Sequence, residues 1–158
     1  MGINVIAEAR VQVLVEDTIT LFTPALKIDE IRAVIQNLRC HIIPGKVIFQ
    51  GILHKQIFFV NEDNVVVHQG VDIPFSGFVD LAPAEPGQCC QLTPVIEFID
   101  FQLLSPTSLR EVTVIGINVR LLDLPPFENI FCTTPENRAV FLSNRNLFLA
   151  RGKATSTK

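Results

Sequence analysis

From Val5 to Ile19 the odd positions read Val5, Ala7, Ala9, Val11, Val13 and Val15, while the even ones read Ile6, Glu8, Arg10, Gln12, Leu14 and Glu16. This two-residue period predicts a β-strand with one apolar face and one mostly polar face. The next segment, LKIDEIRAVIQNL, carries Ile28, Ile31, Ile35 and Leu38 at helical spacing with Asp29 and Glu30 near its start, so a short helix competes with a strand. Its β-branched content favours the strand, as does the following CHIIPGKVIFQG, where Pro44-Gly45 supplies a tight turn between two apolar runs. A hairpin is therefore predicted from about Ala33 to Val60.

Three more strands are predicted over Val65–Val79, Pro94–Leu104 and Glu111–Leu122, separated by the turn-rich APAEPGQ and SPTS. Many strands with few credible helices indicate an all-β, antiparallel β-sandwich or barrel-like domain over residues 1–125. Val47, Phe49, Leu53, Ile57 and Phe59 share one parity, and Ile48, Ile52, Phe58 and Val60 share the other. One face can fill a sandwich, so the second needs cover from another layer or another subunit. Beyond Pro125-Pro126, residues 126–158 form a C-terminal extended arm with Phe127, Phe131, Phe141 and Phe148 as anchors; it could pack on its own domain or on a neighbour.

Composition sharpens this picture. Hydrophobic residues make up 48% of the 158 and charged residues 18%, below the roughly 25% usual in soluble domains. No apolar run approaches the roughly 18 residues of a spanning helix, and MGINVIAEARVQV lacks a signal peptide's basic start and apolar core. With Ile6 where a myristoylation pattern places Ser or Thr, the chain is expected to be made in the cytoplasm without membrane insertion. A net charge of -3 and no basic block argue against nucleic acid. Trp and Tyr are absent against twelve Phe, which assigns the aromatic mass to packing.

Candidate chemistry is sparse. A four-residue loop Asn61–Asn64 would place His54 opposite Val71 and His68 opposite Ile57, on opposite faces, so the two histidines would not share a metal; a single bulge would reverse this. His41 lies beyond a separate turn. Cys40, Cys89, Cys90 and Cys132 lack the C-x2-C spacing of zinc or redox motifs. They could form disulfides of unreadable connectivity, remain free thiols, or link neighbouring molecules after release to an oxidising exterior. Nothing matches G-x-S-x-G, H-E-x-x-H, a P-loop or G-x-G-x-x-G; Ser76 sits in PFSGF, and Glu97 and Asp100 have opposite parity. The expectation is no enzyme, no cofactor and no metal.

The order and spacing of G-x-L-H-K-Q-I-F-F-V, an acidic loop, D-I-P-F-S-G-F-V-D, and a later I-E pair with a terminal strand resemble the SPOCS domain of endospore-forming bacteria, over about residues 38–123. That resemblance implies no catalytic residues. It implies a protein made in the mother cell and deposited in the spore coat, exosporium or parasporal body, with itself and other spore-coat or exosporium proteins as partners. The segment after Asp123 lacks the LysM module of larger members, so the chain is more similar to small stand-alone proteins of the exosporium protein C type. In this setting the 54–78 hairpin is expected to be structural, with Lys55, Gln56, His54 and His68 facing solvent or a neighbour.

Overall fold

The computed structural model describes residues 4–123, together with the backbone of 148–151. It is all-β: β1 (Asn4–Thr20), β2 (Ala25–Ile43), β3 (Lys46–Asn61), β4 (Val66–Asp80), β5 (Cys89–Ser105), β6 (Ser108–Asp123) and β7 (Phe148–Arg151). The antiparallel strands form two sheets, ordered β1-β6-β5 and β4-β3-β2-β7, which pack as a sandwich. The segment with helical spacing is strand β2, as its β-branched residues predicted.

Turn chemistry fixes the pairings. Pro44-Gly45 joins β2 to β3 as a two-residue loop, with Ile43 opposite Lys46 and Gly45 at φ 77°, a conformation open to glycine at little steric cost. Asn64 adopts φ 64°, and the Asn61 side-chain oxygen accepts from the backbone N–H of Asp63 and Val65 at 2.9 and 3.0 Å. With Asn61 N–H also bonded to the Val65 carbonyl, the loop closes over Glu62, Asp63 and Asn64 alone. A three-residue loop ending in a left-handed residue is a favoured hairpin connection. It replaces the predicted four-residue loop and moves the register by one: Val60 pairs with Val66, His54 with Asp72, and Phe58 with His68.

The core lies between the sheets. Val47, Phe49, Leu53, Ile57 and Phe59 from β3 face Leu109, Ile115, Ile117, Val119 and Leu121 from β6, all without solvent exposure. Each such side chain contributes about 1.5–3 kcal/mol of burial free energy. The link between β1 and β2 is pinned by Gln69 of β4, which accepts from Phe22 N–H at 2.9 Å and donates to the Thr20 carbonyl at 3.0 Å. Phe22 then packs on Phe59 with ring centroids 5.6 Å apart.

Candidate functional site

The corrected register puts His54 and His68 on one face of the four-stranded sheet, reversing the opposite-face expectation. Four residues of strand, about 13 Å, still separate their positions along the sheet. Each has its own neighbour: His54 Nδ1 meets Asp72 Oδ1 at 2.5 Å, whereas His68 stacks on Phe58 at 5.5 Å. Among the described residues no group of three or more His, Cys, Asp or Glu is placed to hold a metal ion. Ser76 lines a surface groove of about 330 Å³ beside the β2 bulge, with Asn37 and Arg39, and no His, Cys, Asp or Glu is in that lining.

Both outer faces of the sandwich carry exposed apolar side chains. On the four-stranded sheet Phe78 is 56% and Val66 53% exposed, with Ile48, Ile52 and Phe58 half-buried beside them. Lys46 Nζ lies 4.4 Å over the Phe78 ring and Arg32 Cζ 4.6 Å over Phe58, so a cation caps each ring, and Gln50, Ser76, His54, Asp72 and Gln56 lie between the two rings on the same face. On the three-stranded sheet Leu14, Val114 and Phe98 form one cross-strand row, with Leu14 62% and Phe98 51% exposed. Charged partners surround this row. Glu97, projected at a β5 bulge, accepts from Gln12 at 2.7 Å and from Arg10, and Arg110 pairs with Glu16. Donation by Gln12 and then by the Arg10 guanidinium holds the Glu97 carboxyl below its ordinary pKa.

Cys40 and Cys90 are joined by a disulfide within the chain, tying β2 to β5 across one side of the sandwich. An intermolecular link through either requires that bond to exchange. Cys89 is buried, and no described cysteine is a free thiol. Cys132 and the arm residues Phe127, Phe131 and Phe141 lie outside the described residues. Phe148 opens β7, whose backbone pairs antiparallel with Glu30–Ala33 of β2.

Lys55 corrects the solvent-facing expectation most sharply. It is fully buried and ion-paired with Glu111, also fully buried, so the pair connects β3 to β6 through the core. Gln56 and His54 do lie on the outer face, half-buried. The signal for Lys55 was present in the sequence, because it shares the parity of Leu53 and Ile57. Its charge masked that signal: lysine is almost never fully buried unless paired, and the partner lies 56 residues away. Burial raises the Glu111 carboxyl's pKa; Lys55 opposes this, and Asp17, its cross-strand neighbour, adds to it.

The fold and its surfaces define a disulfide-tied β-sandwich whose distinguishing features are apolar outer faces and a buried ion pair. The family model "SipL, SPOCS domain" matches residues 24–104, and the chain belongs to that family, whose domain is associated with spore coat proteins. The match runs through β2, β3, β4 and nearly all of β5, beginning earlier and ending sooner than the 38–123 expected from the motifs. No curated protein and no solved structure matches the chain.

Proposed function

We propose that this chain is a structural subunit of the spore surface, in exosporium, coat or parasporal body, that assembles with copies of itself into an ordered layer. The observation supporting this is the placement of exposed apolar side chains on both outer faces: Phe78 and Val66 on one, Leu14 and Phe98 on the other. A single self-complementary patch closes a dimer and stops. Two patches on opposite faces allow contacts to propagate. Substituting one central anchor costs about 1–4 kcal/mol of association, so replacement of a single face is enough to halt growth.

The test is electron microscopy and light scattering of the purified chain over a concentration series, beside Phe78→Glu and Leu14→Glu. The native chain is expected to form sheets, fibres or microcrystals, and each variant to stop at a small closed species while keeping its β-sheet circular dichroism. Dispersed small particles of native protein at every concentration would refute the layer. They would favour a non-enzymatic binding module that docks another coat protein or a small apolar ligand.

Two further elements belong to this proposal. Exchange of β7 between copies would use the β2 edge on which β7 already pairs. Intermolecular disulfides through Cys40, Cys89, Cys90 or Cys132 would then fix the assembled layer by thiol–disulfide exchange. Deletion of residues 126–158 is expected to weaken assembly while sparing the sandwich.

A further inference from the structure

We propose that Lys55 and Glu111 become joined by an amide bond between Nζ and Cδ, an intramolecular crosslink that ties the two sheets covalently. The inference does not rest on self-assembly. It starts from where the two groups stand: Nζ and Oε1 are in direct contact, both side chains have zero exposure, and they come from facing strands of different sheets.

Three observations set this pair apart from a surface ion pair. Glu111 Oε2 is buried without a hydrogen-bond partner, as is Thr113 Oγ1 two residues along the same face. Burial works against the ionised carboxyl, with half-buried Asp17 opposite it adding a like charge. The surrounding core is aliphatic, including Ile57, Leu109 and Ile115. The step needs one proton moved within the pair, giving a neutral acid beside a free amine, a transfer in which two charges stripped of their hydration become two neutral groups. That form is the reactive one.

The step is balanced within the pair. The Nζ lone pair attacks Cδ, the Nζ–Cδ bond forms, the Cδ–Oε2 bond breaks, and the proton shed by nitrogen leaves with the Oε2 hydroxyl as water. No oxidant or other reactant is needed. Holding the two groups in contact makes the reaction unimolecular, and excluding water opposes its reversal. The product removes the unpartnered Oε2 and exchanges two buried charges for one neutral amide.

Intact mass spectrometry of the full chain, denatured and with disulfides reduced, tests this directly. The native chain is expected to weigh one water less than its sequence, and digestion should yield a branched peptide joining the Lys55 and Glu111 segments. Lys55→Arg should show the full mass of its own sequence. E111Q should form the same amide with loss of ammonia, a distinguishable mass that water loss elsewhere cannot produce. A native chain at full sequence mass, or a missing water that maps away from these two residues, would overturn the proposal.

Discussion

The same chemistry, a cation against a glutamate, occurs twice in this sandwich with opposite consequences. Arg10–Glu97 lies on the outer face of the three-stranded sheet, with the Arg10 side chain half exposed, and Gln12 adds a second donor to the carboxylate. Lys55–Glu111 lies in the core with neither group exposed and one carboxylate oxygen unpartnered. Donation by Gln12 and then by Arg10 favours the ionised Glu97; burial disfavours the ionised Glu111. An ion pair's meaning is therefore set by what surrounds it. The outer pair decorates a surface, and the inner one sits where an uncompensated charge cannot be tolerated.

Breaking the inner pair should have the largest effect. Lys55→Met keeps roughly the volume but leaves Glu111 buried without its cation, and is expected to cost about 3–5 kcal/mol in urea unfolding. In that variant stability should fall as pH rises above 4.5, because the native state then holds the Glu111 proton more tightly than the unfolded chain does. Adding Glu111→Leu removes the stranded carboxyl and should recover the part of the loss that comes from the uncompensated charge. A double variant no more stable than Lys55→Met would show that the pair contributes something other than charge compensation.

The outer pair calls for gentler probes. A Cβ at Gly116 would stand inside van der Waals contact of Glu97 Oε2 and Arg10 Nη2. Gly116→Ala should push both flexible ends aside and abolish the pair, with a smaller loss of stability than Lys55→Met. Glu97→Gln should leave neutral-pH stability nearly unchanged and remove one pH dependence. The native Glu97 carboxyl titrates below 4.5, so its contribution is present above that value and is lost as pH falls through the depressed one. Equal acid sensitivity in Glu97→Gln and native protein would contradict that origin.

How far the sequence could be read depended on the range of the determining interaction. Strand β1 followed from Val11, Val13 and Val15 alternating with polar neighbours, and the β2–β3 turn from Pro44-Gly45, because the relevant contacts and backbone preferences are local. The β3–β4 register differs by one residue from the predicted one because Asn64 takes the left-handed conformation, an option asparagine has but does not announce. That one residue decides whether His54 faces Val71 or Asp72.

The alternation of side chains by itself determined an all-β, antiparallel domain, sandwich or barrel, with more apolar strand surface than one core can use, and ordered motifs pointed to its family. Only tertiary structure decided that Cys40 meets Cys90 and that Lys55 meets Glu111. Their partners are 50 and 56 residues away, on strands brought face to face by sheet packing rather than by any local preference. A period of two tells each residue which way to point; what it finds there depends on the other sheet.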